Sequence, residues 1–264
     1  MTNQEQKAHR FRELHAGEPF VIANPWDAGS ARVLAAMGFH ALASTSSGFA
    51  FTLGRLDGDV TLDDVVEHAA SLDRATDLPV SVDLENGYGD DPESAALAVA
   101  RVAEAGAVGG SIEDYDGQGR LYDLEHAVER VAAAVESVRG LGWPFTLTAR
   151  AENHIRGNPD LHDTIARLQA FEAAGADVLY APGIRTPDEI RAVCESVSKP
   201  VNVLARRDLS LAEMVDAGAQ RISIGGAMTW SAVDALVAAA SAIRDRGDFS
   251  GLASSPPLDD WFGR

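Results

Sequence analysis

Short apolar runs alternate with stretches of helical period along most of the chain. Phe20-Val21-Ile22-Ala23 is the first run, and the helical stretch after it reaches Met37 and stops at Gly38, a C-terminal helix signal. Ala41-Leu42-Ala43-Ser44-Thr45 is the second, followed by small residues Thr45-Ser46-Ser47-Gly48 and a loop to Asp59. Thr61 with Asp64 three residues on opens the next helix. In the third run side chains alternate faces. Val80, Val82 and Leu84 share one face, and Ser81, Asp83 and Glu85 share the other. Five further strands are predicted: 109–113, 145–150, 177–181, 200–204 and 221–224. Helices follow at 92–105, 123–139, 160–174, from Thr186-Pro187, from Ser210 and at 228–243. Residues 1–18 read as a polar leading helix.

Eight strand-then-helix units in about 225 residues imply a parallel sheet, and a closed (β/α)₈ TIM barrel fits them better than an open doubly wound sheet. No Gly-x-Gly-x-x-Gly marks the first turn, which lowers the dinucleotide-binding alternative. No linker divides the chain. One α/β barrel domain is expected over 1–245, leader helix included. The tail 246–264 then leaves the barrel and ends in the apolar anchor Trp261-Phe262.

Composition narrows the function. A net charge of −18 over 264 residues, with no basic run, excludes nucleic acid and an anionic membrane surface as partners. The one cysteine, Cys194, excludes an intrachain disulfide framework and reads as a small buried apolar residue in a helix. No apolar run is long enough to span a membrane and no signal peptide is seen, so a cytoplasmic protein is expected.

Active sites of such barrels lie at the C-terminal ends of the strands. That end gathers Thr45, Ser46 and Ser47; Asp83 and Glu85; Glu113 and Asp114; Arg150 and Glu152; and Asn202. Strands three, four and five all turn a polar face inward, where a purely structural interior would hold Val, Ile and Leu. Asp83 and Glu85 stand about 7 Å apart along one strand face. A hard divalent cation between them would relieve their repulsion. Two blander readings remain: solvated acids in a loop, and an ion-pair network in which Arg150 neutralises Glu113.

Ser81-Val-Asp-Leu-Glu-Asn-Gly-Tyr-Gly89, Ser111-Ile-Glu-Asp114 and Thr148-Ala-Arg-Ala-Glu152 together resemble the motifs of the isocitrate lyase/phosphoenolpyruvate mutase superfamily. So does Trp26-Asp-Ala-Gly-Ser-Ala31, and the similarity runs over about 18–245. The resemblance implies a Mg²⁺-dependent barrel enzyme, with Mn²⁺ as a substitute, acting on small 2-oxo acids or related dicarboxylates. It further implies a homotetramer in which a C-terminal helix packs on a neighbouring subunit, with the tail 246–264 at that contact. Asp83, Glu85 and Glu113 match the family's metal-shell carboxylates, Arg150 its substrate-binding arginine and Asp57 its loop aspartate. Catalytic roles would fall to Asp57, Arg150 and Glu113. Backbone amides around Ser46, Ser47 and Gly48 match a cradle for a carboxylate or phosphonate. Trp26, Thr45, Asp83 and Asn202 complete the implied substrate-binding set.

Two departures matter. Glu85 stands where the family usually has Asp. The family's lyase loop with its catalytic cysteine is replaced by Tyr115-Asp-Gly-Gln-Gly-Arg-Leu-Tyr-Asp123, which holds neither cysteine nor histidine. His154, just beyond Arg150, is a candidate acid/base. C–C cleavage, decarboxylation and P–C exchange therefore stay open. So does a catalytically silent metabolite-binding barrel of the same family. A Schiff-base aldolase needs a lysine at a strand's C-terminal end. The chain has only Lys7, in the leader, and Lys199, which precedes strand seven.

Overall fold

The computed structural model describes residues 3–253 and 257–263. Eight strands form one parallel sheet: β1 (Phe20–Ile22), β2 (Leu42–Ala43), β3 (Val80–Asp83), β4 (Gly109–Glu113), β5 (Thr146–Arg150), β6 (Val178–Tyr180), β7 (Val201–Leu204) and β8 (Arg221–Ser223). Their order is β1-β8-β7-β6-β5-β4-β3-β2, and a single parallel bridge, Ala23 to Leu42, brings the two edges together. Asn24 reinforces that seam. Its Nδ2 donates to Ser44 O at 3.1 Å, and its Oδ1 accepts the amides of Ile224 and Gly225 at 2.9 and 3.0 Å. The expected (β/α)₈ barrel is therefore the fold.

The helices are α1 (Gln4–Ala16), α2 (Ala28–Ala36), α3 (Ser46–Thr52), α4 (Leu62–Ala75), α5 (Pro92–Glu104), α6 (Leu124–Val138), α7 (Leu161–Ala173), α8 (Pro187–Ser196), α9 (Leu211–Asp216), α10 (Ala227–Arg246) and α11 (Leu258–Phe262). Capping explains where several begin: Thr61, Thr186 and Ser210 each accept the amide three residues on, and each receives the carboxylate there on its own N–H. Ala95, Ala98, Val99 and Val102 of α5 recur at helical spacing and are buried in the same core as Val82, Leu84 and Ile112. At the N-terminal end of the barrel α1 acts as a plug. Phe11 packs with Phe20, Ile22 and Val108, and a Cβ on Gly109 would stand 2.7 Å from the Phe11 ring.

Two local expectations change. The stretch after β2 is no plain loop: Ser46–Thr52 folds as α3, with Phe49 N–H donating to Thr45 O at 2.9 Å. The third strand ends at Asp83. Asp83 Oδ1 accepts the amide of Glu85 at 3.3 Å, Gly87 N–H closes onto Leu84 O, and Glu85 and Tyr88 take positive φ of 49° and 64°. The chain thus curls where a continued strand would have kept Glu85 beside Asp83.

Beyond β8 the barrel wall thins out. Only Thr229 of the twenty residues in α10 is buried. Trp230, Leu236 and Val237 are among its exposed apolar side chains. The predicted tail lies partly outside the described residues, at 254–256 and 264. Within the rest, α11 packs on α2 of its own chain, where Arg32 lies over the Phe262 ring at 5.6 Å.

Candidate active site

A cavity of about 220 Å³ opens among the C-terminal ends of the strands and runs down into the barrel. Thr45, Ser46, Ser47, Asp83, Arg150 and Asn202 from the expected set line it. Adjacent register explains the convergence: Glu113 pairs with Arg150, Arg150 with Tyr180 and Tyr180 with Asn202.

Arg150 is the hub of the mouth. Its Nη1 donates to Asp83 Oδ1 at 2.9 Å, its Nη2 meets Glu113 Oε2 at 2.9 Å, and Glu152 Oε1 accepts from Nη2 and Nε at 2.8 and 3.0 Å. Burial works against its charge, but Glu152, Glu113 and Asp83 outweigh that and hold its pKa well above the usual value. Arg156 meets the same acids from the loop after β5, at 3.1 Å from Glu152 and 3.4 Å from Glu113, and lies over the Tyr115 ring.

Acids still exceed bases here. Burial pushes the Glu113 carboxyl up, and Glu152 and Asp83 push the same way. Glu85 is pushed up to about 7, by burial first and then by Asp83 and Asp57. Asp57 is an exposed loop residue hydrogen-bonded to the Ser46 side chain, and desolvation raises its pKa as well. Ser46 N–H lies 3.4 Å from Asp83 Oδ2.

With Asp83 and Glu113 drawn onto Arg150 and Glu85 turned away at its left-handed backbone, no three acids, imidazoles or thiols among the described residues stand in coordinating geometry. The expectation that Asp83 and Glu85 share one strand face is corrected, because the strand ends at Asp83, although Glu85 still feels the Asp83 charge. The donor set nevertheless fits a hard cation. Glu85 Oε1 is buried with no hydrogen-bond partner. Among the described residues Asp83 is the one carboxyl in the cavity lining, and Asp57, Glu85 and Glu113 behind it all feel its charge and are pushed toward protonation, which a divalent cation would reverse.

Two expected substrate-binding residues lie apart from the cavity lining. Trp26 faces an outer cleft with Phe49 and His68. Gly48 is buried beneath the cradle, where a Cβ would meet Thr229 Oγ1 at 2.6 Å and Thr45 Cγ2 at 2.7 Å. His154 is also buried away from the cavity, with Nδ1 at 2.8 Å from Thr164 Oγ1. Cys194 belongs to α8 and faces Gly218, and burial pushes its thiol up to about 11.

Two residues of β8 also line the floor and are absent from the expected set: Ser223, at its end, and Arg221, at its start, which attention to strand ends does not reveal. Arg221 Nε donates to Asn202 Oδ1 at 2.8 Å and Nη2 to Thr148 Oγ1 at 3.0 Å, while Asn202 Nδ2 donates to Ser223 Oγ at 2.9 Å. Their signal is the alternation Arg221-Ile222-Ser223-Ile224, the same polar-inward parity as β3 to β5.

Comparison with known proteins places this geometry. A family model described as phosphoenolpyruvate phosphomutase matches residues 11–244. A provisionally assigned lyase/mutase from Burkholderia cenocepacia J2315 superposes with a TM-score of 0.95 at 49% identity, over 99% of this chain and 97% of that one. The 2-methylisocitrate lyase of Halalkalibacterium halodurans is 31% identical over 209 residues, 75% of this chain and 67% of its own length. An oxaloacetate decarboxylase of Paraburkholderia xenovorans is 33% identical over 207 residues, 73% and 66% of the two chains.

Proposed function

Since the chain belongs to the phosphoenolpyruvate phosphomutase family, we propose that it is a Mg²⁺-dependent enzyme that makes or breaks a C–C or P–C bond in a small 2-oxo acid through an enolate. One observation carries the reading: Arg150 is wedged among Asp83, Glu113 and Glu152 at the cavity mouth, with the unpartnered Glu85 Oε1 in the same acidic cluster. Asp83, Glu85 and Glu113 would hold the cation, with Mn²⁺ as a substitute. When bound, it supplies Lewis-acid polarisation of the substrate's keto group.

The protein's own groups do the rest. Arg150 binds the substrate carboxylate and favours negative charge that develops beside it. Ser46, Ser47 and Gly48 present the start of α3 as a cradle for a carboxylate or phosphonate. Thr45 and Asn202 shape the cavity walls. Asp57 carries a raised-pKa carboxyl beside Ser46 that can hold a proton above the site. In this reading the protein works in the cytoplasm as a homotetramer, with the exposed apolar face of α10 against a neighbouring subunit.

A panel of oxaloacetate, phosphonopyruvate and 2-methylisocitrate, assayed for product with and without Mg²⁺, tests the activity. Turnover of at least one acid that disappears on chelation is expected; no metal-dependent turnover of any would sink the reading. The second reading is a metabolite-binding barrel without catalysis. It draws on the loop 115–123, where Asp116 is tied to Arg120 and Tyr122 to Asp90, and on a cavity lining without cysteine, histidine or lysine.

A further inference from the structure

The floor of the cavity carries a positive charge that the acidic mouth leaves unneutralised. Arg221 is only 5% exposed, and each of its hydrogen-bond partners is neutral: Asn202, Thr148 and His15. His15 is held in that role by its other nitrogen. Nδ1–H donates to Phe11 O at 2.8 Å, which leaves Nε2 as an acceptor 3.1 Å from Arg221 Nη1. Burial and the neighbouring Arg221 keep the ring uncharged, with its pKa lowered to about 3. No carboxylate is among the groups that act on the Arg221 charge: burial lowers its pKa to about 10, and only the Tyr180 phenol works the other way. A guanidinium offers five N–H donors in a fixed fork, and three are engaged here. Arg150 is the opposite case, met by three carboxylates.

A buried cation without a counter-charge is costly, and an anion that reaches it makes strong, little-screened hydrogen bonds. Arg221 lines the same cavity as Asp83 and Arg150, so an anion from that cavity can reach it. Ser223, also in the lining, sits beside it through Asn202. The spacing has chemical meaning. Arg221 Nη2 touches Thr148, two residues below Arg150 on β5. Two strand residues span about 7 Å, comparable with a four-carbon dicarboxylic acid.

We propose that Arg221, with Ser223 beside it, is an anion subsite on the cavity floor that takes the second carboxylate of a dicarboxylate substrate. The 2-oxo end of that substrate then lies at the mouth beside Asp83 and Arg150. The subsite rests on the 2-oxo acid reading for its choice of ligand, and it narrows that reading to dianionic acids over monocarboxylates such as pyruvate.

Malate and lactate are a matched pair for the test, because they differ by the second carboxylate and are already reduced at carbon two. Calorimetry in the presence of Mg²⁺ should show malate binding at least about tenfold tighter than lactate, the range of one charge-assisted hydrogen bond. Arg221→Met should abolish that preference and leave lactate affinity unchanged, and Arg221→Lys should restore part of it. Circular dichroism checks that each variant folds. If Arg221→Met does not fold, Ser223→Ala must still weaken malate severalfold with lactate unaffected. A preference retained in folded Arg221→Met, malate affinity unmoved in Ser223→Ala, or no preference in the unaltered protein overturns the subsite. Arg221-dependent malate binding without turnover of any 2-oxo acid would instead overturn the activity and leave the subsite standing.

Discussion

Arg150 Nη1 stands 2.9 Å from Asp83 Oδ1, so the arginine holds an oxygen that the acidic strand would offer to a cation. Asp83 then has two tasks, and one substitution separates them. Asp83→Ala should abolish Mg²⁺-dependent activity while the fold persists, because Glu113 and Glu152 still pair with Arg150. Undiminished Mg²⁺ binding by calorimetry in that variant would show that the cation sits elsewhere.

A second arginine shapes the same region from behind. Arg130 of α6 is 1% exposed and donates to the carbonyls of Asn86, Asp90 and Asp91, with its guanidinium 4.6 Å above the Tyr122 ring. It therefore pins the loop that begins at Glu85. Arg130→Met strands those carbonyls and should cost about 3 kcal/mol, given 1–3 kcal/mol for each buried group left unpaired and partial rescue by water. Chemical denaturation measures it. A change within about 0.5 kcal/mol, the ordinary range of a surface substitution, would show that the loop holds itself.

Period-two alternation makes the polar-inward faces of β3, β4 and β5 readable, and with them Asp83, Glu113 and Arg150. The same reasoning misplaces Glu85, because the Asp83 carboxylate captures the Glu85 amide and turns the chain out of the strand. That event depends on side chain meeting backbone, which apolar periodicity does not encode. Helix α3 is hidden for a different reason. Six of the seven residues are Ser, Gly, Thr or Phe, which carry little helical propensity, and the buried Phe49 and Ala50 hold the segment in place. Arg221 is visible as one position of an alternating strand, but it sits at the start of β8, and attention to strand ends passes over it. How acids distribute over Arg150 and Arg156 is a matter of three-dimensional proximity, and no spacing in the chain announces it.

The plug predicts an acid response. Burial first, then Arg221, lowers the His15 pKa to about 3, against about 6.5 in the unfolded chain. Between those values the unfolded state binds a proton that the folded state refuses, so stability falls as pH drops from about 6.5 toward 3. Above 6.5 the ring is neutral in both states and contributes no pH dependence. His15→Gln should flatten that part of the stability curve relative to the unaltered protein, measured by urea unfolding at pH 7, 6, 5 and 4. Parallel curves for the two proteins would exclude His15 as a source.

The assembly prediction concerns α10. Leu236 and Val237 are 64% and 56% exposed on a helix with one buried residue, an apolar surface of the kind that marks an interface. Light scattering at micromolar concentration should give four times the mass of the 27.9 kDa chain. Leu236→Asp should shift it to smaller species. A monomer from the unaltered protein counts against the tetramer.

The last prediction is about the reaction: this protein is not an efficient 2-methylisocitrate lyase, although it is 31% identical to one. Cleavage of that kind needs a proton donor facing the enolate carbon across from the metal, the role that the sequence resemblance assigns to a loop cysteine. Here the sole cysteine, Cys194, packs against Gly218 in the outer layer with its thiol pushed up to about 11. Two of the acidic or phenolic side chains of the replacement loop are tied up. Tyr122 donates to Asp90 at 2.7 Å, and Asp116 is bound by Arg120 and by the amides of Gln118 and Arg120. Among the described residues the cavity lining holds no thiol and no imidazole, and burial pushes its one phenol, Tyr180, up to about 12. Loss of a placed general acid changes a rate by about 10²–10⁴, which leaves true lyase turnover negligible. Decarboxylation of oxaloacetate asks less of this loop, since carbon dioxide departs without needing a proton. Oxaloacetate turnover should therefore exceed 2-methylisocitrate turnover by at least about a hundredfold, the low end of the same range. Cleavage of 2-methylisocitrate at an ordinary enzymatic rate of about 10 s⁻¹ would refute this and require a proton donor that the cavity lining does not contain.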